Sequence, residues 1–221
     1  MKLLIAMLFL FLMVPQTADA VDIMWGTRNY KKTNDIICTE PSKSLDFRNE
    51  INRRVNNFVN TYKQPFLSQQ VNKIYICRDL VVENNFWYRG TYLLTEKVIF
   101  VRIDDGEPND TEYMLHHEFS SILFHYFFTN EMRVKWIQNN DFSYQWYDVE
   151  QNPETWNDYD LMNRGGICKY ATTNLENDFN SMASFYLTTY LRGELALHAV
   201  EYFRIKNKRD IIKEIYLPFL K

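Results

Sequence analysis

Apolar residues recur at intervals of three and four through Phe47, Ile51, Val55, Phe58, Val59 and Tyr62. That spacing lines one face of a helix, and it predicts an amphipathic helix over 44–62 with Asp46 in its first turn. The period then changes. Residues 71–78 (VNKIYICR) and 97–103 (KVIFVRI) alternate and are rich in β-branched and aromatic side chains, which predicts two strands with a loop or short strand around Gly90 between them. Asp104-Asp105-Gly106-Glu107-Pro108 breaks the sheet, and Asp110 or Thr111 is placed to cap a second helix over 112–128.

Residues 130–164 carry many Asn, Asp, Trp and Tyr and hold no sustained period, so they read as a long irregular excursion that lines or covers a cleft. Its rings Trp136, Trp146, Tyr147, Trp156 and Tyr159 supply either contact area for a ligand or filling beneath a loop. Gly165-Gly166 opens a turn, and Thr172-Thr173-Asn174 can cap a helix bearing Phe179, Met182, Ala183, Phe185, Tyr186 and Tyr190 that ends at Gly193. Residues 194–221 read as two helical segments, broken near Asn207 and stopped by Pro218. A helix, then strands, then helices is an α+β order.

With 46% hydrophobic residues, the 221-residue chain can bury the core of a single domain. A net charge of -3, with no basic stripe interleaved with aromatics, argues against a nucleic-acid partner. Lys2, the apolar run 3–14 and Ala18-Asp19-Ala20 read as a signal peptide over 1–20. The expectation is therefore an exported chain that starts at Val21 and is periplasmic, envelope-associated or secreted. It has no later transmembrane segment, because no other run approaches the roughly twenty apolar residues required. Residues 21–43 read as an irregular N-terminal arm with one edge strand near Asp35–Cys38, and 44–221 as the domain. Cys38, Cys77 and Cys168 are an odd number of cysteines, so at most one internal disulfide forms. The preferred reading is three small buried thiols; a Cys38–Cys77 pair is the alternative.

Candidate chemistry concentrates in EYMLHHEFSSILFHYFF, residues 112–128. Residues four apart on a helix lie about 40° apart around the axis. In a zinc helix of the HExxH type that geometry points two imidazoles at one metal, and the glutamate after the first histidine serves as general base for the metal-bound water. Here His117 and Glu118 are followed by Phe119, Ser120 and Ser121, so a hydroxyl stands where the second imidazole belongs. His125 sits roughly 12 Å further along the axis and cannot share an ion with His117. His116 points about 100° away, toward the core or a supporting shell. Cys168 could approach as a thiolate or lie inert, and His198 reads as structural. A buried helix can also hold His117 and Glu118 as a hydrogen-bonded pair without metal.

Three blocks in order, LHHEFSSIL at 115–123, GGICKYATTN at 165–174 and ENDFNSMASFYL at 176–187, resemble the putative zinc-binding metallopeptidases found among exported bacterial proteins. That family reads HHEFSH, then G-[FY]-x-x-x-YA, then EDFAE, and the similarity spans roughly residues 45–215. The resemblance implies an α+β, zincin-like fold: a small sheet packed on a central metal-site-type helix, followed by C-terminal helices. It implies zinc as cofactor, Glu118 as general base, His117 as a ligand, and His116 and Tyr170 as supporting residues. Ser121, Asn177 and Ser181 occupy ligand or supporting positions of the family. A register shift of one would offer Glu176 as a third ligand, with Asp178 matching the family's aspartate. The implied activity is peptide hydrolysis, and the implied partners are a peptide or protein substrate and outer-membrane import machinery. The alternative is a catalytically inactive zincin-fold module that binds a peptide, glycan or partner protein at the cell envelope.

Overall fold

The two near-continuous apolar runs form neighbouring parallel strands at the centre of a sheet, and strands of that composition are stable only when both faces are covered. The computed structural model describes residues 21–31, 35–41, 44–82, 86–103, 110–145 and 158–221. In chain order its elements are β1 (Asp22–Trp25), β2 (Thr27–Lys31), β3 (Asp35–Cys38), α1 (Leu45–Thr61), α2 (Gln64–Gln70), β4 (Lys73–Cys77), β5 (Leu80–Val82), β6 (Phe86–Trp87), β7 (Gly90–Leu93), β8 (Val98–Arg102), α3 (Asp110–Phe127), α4 (Asn130–Ile137), α5 (Tyr159–Asn163), a 3-10 turn (Tyr170–Thr172), α6 (Leu175–Leu187), α7 (Arg192–Glu201) and α8 (Phe203–Tyr216).

One sheet has the order β1-β4-β8-β7, parallel except for the antiparallel edge strand β7. A second, antiparallel sheet has the order β2-β3-β5-β6. The period-two geometry of β4 and β8 divides their side chains between two cores. Ile74, Ile76, Ile99 and Val101 join the large cluster formed with the helices. Tyr75, Cys77, Val98 and Phe100 face Ile36, Cys38, Leu80 and Val82 of the second sheet. The result is three layers: antiparallel sheet, mixed sheet, helices. β8 precedes α3 in the chain, and the mixed α+β class agrees with the order read from the sequence.

Several boundaries differ from the sequence reading. Residues 21–43 are more than an irregular arm, because β1 adds a parallel strand beside β4 with Ile23 opposite Ile74, and β2 pairs with β3. The excursion at 130–164 contains α4 and α5; Trp146, Tyr147 and Trp156 lie outside the described residues, as does the segment 1–20. Trp136 is fully buried, whereas Tyr159 is exposed. α6 ends at Leu187 on the extended Thr188, and Gly193 sits inside the first turn of α7 with open space beside it, so it is no helix terminator. The break in the last helical stretch falls at Tyr202, whose backbone is extended. Asn207 stays helical and spends its amide on Asn139 Oδ1 at 2.9 Å.

The cysteines also differ. Cys38 on β3 and Cys77 on β4 form a disulfide with Cα atoms 5.0 Å apart, tying the two sheets together through the second core, while Cys168 stays buried and unbridged. No helix among the described residues is long and apolar enough to cross a membrane.

Candidate functional site

Helix α3 is buried on nearly every side from Thr111 to Phe124, Ser121 being the half-buried exception. A helix enclosed in this way is expected to place its polar side chains against partners, and most of those on α3 fall in two rows. Glu112, His116 and Ser120, spaced by four, form the first. Glu112 accepts from the Thr189 N–H and hydroxyl at 2.7 and 2.6 Å and from Asn57 at 2.9 Å, with Arg54 3.7 Å away. His116 Nδ1 meets the Tyr62 hydroxyl at 2.8 Å, and Ser120 bonds the Tyr216 hydroxyl at 2.6 Å. This row locks α3 to α1 and α8. His116 therefore faces α1, away from His117, where the resemblance implies a supporting role beside the site. The 100° step between consecutive helical residues is the cause.

The second row, Tyr113, His117 and Ser121, faces α6 and the 3-10 turn. The His117 ring lies 5.7 Å from the Tyr170 ring and 6.1 Å from that of Tyr113. Its Nδ1 is buried without a hydrogen-bond partner among the described residues. Burial, with the Arg89 guanidinium adding to it, pulls the imidazole down to about 3, so it is neutral at physiological pH. Burial likewise pulls His116 down to about 3. Glu118 points the other way, under the edge strand: a Cβ added at Gly90 would stand 2.5 Å from Glu118 Oε1. The glycine makes room for the carboxyl. Burial first, and the charge of Glu176 second, push Glu118 up to about 8, which holds it largely protonated at neutral pH.

On α6 the residues implied as ligands are dispersed by other partners. Both Asp178 oxygens accept from Lys208 Nζ, at 2.8 and 2.7 Å. Oδ2 also accepts from Trp136, Asn140 and Tyr144 at 2.8, 3.1 and 3.0 Å. Asp178 is thus the counter-ion of a buried lysine. Asn177 is drawn to the helix cap, its amide donating to Thr173 Oγ1 at 2.7 Å. Glu176 is half-exposed and 3.6 Å from His125 Nε2. Ser181 is fully buried, and its hydroxyl has no partner among the described residues. Asn180 hydrogen-bonds α3: its Nδ2 donates to Ser121 Oγ at 2.8 Å, while its Oδ1 is buried with no partner among the described residues.

Zinc asks for imidazole, thiolate or carboxylate donors, normally three from the protein. The positions where the family pattern puts its ligands hold one imidazole, His117, and two hydroxyls, Ser121 and Ser181. Ser121 Oγ already accepts from an amide, and neutral hydroxyls are weak donors to this ion. Among the described residues no group of three or more His, Cys, Asp or Glu is placed to hold a metal ion. Cys168 is buried and belongs to no such group among the described residues. His198 pairs with Glu194 at 3.6 Å, away from the site. The residues present do not fit zinc.

Two contributors escaped the sequence reading. Asn180 stands at the alanine of the EDFAE block, and an amide at an apolar helical position is the signal that could have drawn attention to it. Gly90 carried no signal without knowledge of which helix crosses β7. No protein-family model and no curated protein sequence matches the chain. The fold is similar to the crystal structure of a putative zinc-binding metallo-peptidase from Bacteroides caccae, with a TM-score of 0.54, 13% identity, and coverage of 91% of this chain and 80% of that one. The chain thus shares a metallopeptidase-like fold.

Proposed function

We propose that this chain is an exported, non-catalytic relative of the zinc metallopeptidases that binds an extended peptide where the edge strand β7 crosses α3. The observation that carries the reading is the Asn180–Ser121 hydrogen bond at 2.8 Å, in which a neutral amide engages Ser121, the hydroxyl that stands where the HExxH pattern has its second imidazole. The strand supports the binding half of the reading. β7 is the last strand of its sheet, and an edge strand's outward backbone groups can pair with an added strand. Export is supported by the leader-like residues 1–20 and by the Cys38–Cys77 disulfide, which suits an oxidising compartment.

The competing reading is zinc-dependent peptide hydrolysis, with His117 and Glu176 as ligands and Glu118 as base. It has in its favour the nearness of the Glu176 charge to the raised Glu118 carboxyl. Elemental analysis of the purified protein after exposure to excess zinc and dialysis separates the two. The expected result is no stoichiometric zinc, and cleavage of a fluorogenic peptide library no faster than by His117→Ala. One zinc per chain, lost in His117→Ala together with peptidase activity, would overturn the non-catalytic reading.

A further inference from the structure

Away from α3, a cavity of about 280 Å³ opens between the C-terminal end of α6, the first turns of α7 and the C-terminal half of α8, lined by Tyr186, Arg192, Leu195, Ala196, Arg209 and Lys213. Half of that lining is cationic, none of it is acidic, and it shares no residue with the His117 site. Arg192 is braced: its Nε and Nη2 donate to the carbonyls of Tyr186 and Leu187 at 3.2 and 3.3 Å. Arg209 shares one carboxylate, Asp210, with Lys206, at 3.0 and 3.1 Å. The Lys213 ammonium makes no hydrogen bond or ion pair among the described residues. Three cations around one small space repel one another, and a single shared carboxylate beside them leaves an excess of positive charge that an anion would neutralise.

We propose that this cavity binds a small phosphomonoester. Such a group carries close to two negative charges at neutral pH and three acceptor oxygens. Those oxygens match guanidinium forks and a mobile ammonium. The remaining walls, the Tyr186 ring with Leu195 and Ala196, are apolar and take the ester's organic substituent. Small-ligand sites commonly combine such an apolar wall with a few convergent polar groups. This inference does not depend on how the α3 site is read.

The test is isothermal titration of the purified protein with phenyl phosphate, inorganic phosphate and phenol. Phenyl phosphate should bind saturably and more tightly than inorganic phosphate, and phenol should not bind. Lys213→Gln and Arg209→Gln should each weaken phenyl phosphate by about tenfold, the scale of one charge-assisted contact. Ala196→Trp fills the cavity while leaving all three cations in place, and it should abolish binding with the circular dichroism spectrum unchanged. An absence of saturable binding, or variants that bind as the wild type does, would overturn the site. Equal affinity for inorganic phosphate would overturn the ester assignment.

Discussion

Asn180 on α6 donates its amide to the Ser121 hydroxyl on α3 across 2.8 Å, joining the two helices through neutral groups. The bond leaves Asn180 Oδ1 buried with no partner among the described residues, so this junction is only half satisfied. Ser121→Ala removes the acceptor of Nδ2 as well and should cost about 1–2 kcal/mol, the penalty for stranding a buried donor. Asn180→Leu removes both amide atoms and should cost less. In the double variant the two effects should couple by about 1 kcal/mol in urea denaturation. Strictly additive losses would show that the bond contributes nothing.

The same junction should be convertible into a metal site. Ser121→His supplies the missing second imidazole and Ser181→Glu the missing carboxylate, which with His117 makes a three-ligand zinc set. The double variant is expected to take up one zinc per chain and to melt at a higher temperature when zinc is added. A ligand at a hundred times its dissociation constant stabilises the folded state by about 2.7 kcal/mol. Adding His117→Ala should remove both effects. A folded double variant that ignores zinc would show that positions 121 and 181 do not converge with 117.

Lys208 and Asp178 are both fully buried and 2.7 Å apart, with the ammonium also donating to the Gly165 carbonyl at 2.6 Å and lying over the Trp136 and Phe142 rings. The pair ties α8 to α6 and to the turn at Gly165. Lys208→Met leaves the Asp178 carboxylate buried on three neutral donors and should cost about 3–5 kcal/mol. Asp178→Asn leaves the Lys208 ammonium buried without its counter-ion and should cost a similar amount, reduced to the extent that the lysine sheds its proton. Chemical denaturation decides the matter. Small losses in both variants would show that a stranded buried charge is not what breaking this pair costs.

Periodicity carried much of this fold. The helix at Leu45–Thr61, strands β4 and β8, α3 and α6 all sit where three-to-four spacing or alternation places them, because each buries a continuous face. What the pattern could not carry was pairing. β1 is only four residues long, too short to show a period of its own, and becomes a strand because β4 offers an open edge. Gly193 and Asn207 looked like breakers, but Thr188 and Tyr202 break the helices instead, and neither has a distinctive local signature. At the site, His117, Glu118 and Ser121 were legible from a four-residue spacing. The commitment of Asp178 to Lys208, thirty positions away, was not, because a long-range ion pair leaves no periodic trace.

The cysteines make the same point and carry a prediction. Cys38 and Cys77 are separated by 39 positions, and nothing local relates them until β3 and β4 lie in facing sheets. Closing a loop of that length should contribute about 3–4 kcal/mol in the chain-entropy account. Cys38→Ser, Cys77→Ser and reduction of the wild type should each lower the denaturation midpoint by a similar amount, with no further loss when either variant is reduced. An unchanged midpoint under reducing conditions would mean that the two sheets hold together without the bridge.

Three buried titrating groups on one helix contribute to the pH dependence of stability, and their signs oppose one another. His116 and His117 fall from 6.5 to about 3 on folding, so below pH 6.5 the unfolded chain takes up protons that the folded state refuses, and stability drops as pH falls. Glu118 rises from 4.5 to about 8, so between those values the folded state holds a proton that the unfolded chain releases, and stability drops as pH rises. From about pH 4.5 to 6.5 two histidines outweigh one glutamate, and above 6.5 the glutamate acts alone. These groups therefore place maximum stability near pH 6.5, with a loss of about 2 kcal/mol by pH 8. Glu118→Gln keeps the shape and removes the titration, so its melting temperature should level off above pH 6.5, while its acid limb between pH 4.5 and 6.5 should steepen because the opposing carboxyl is gone. If the Glu118→Gln profile from pH 4 to 9 superimposes on the wild type's, the carboxyl under Gly90 is ionised in the folded protein, and its burial is offset by a partner other than a proton.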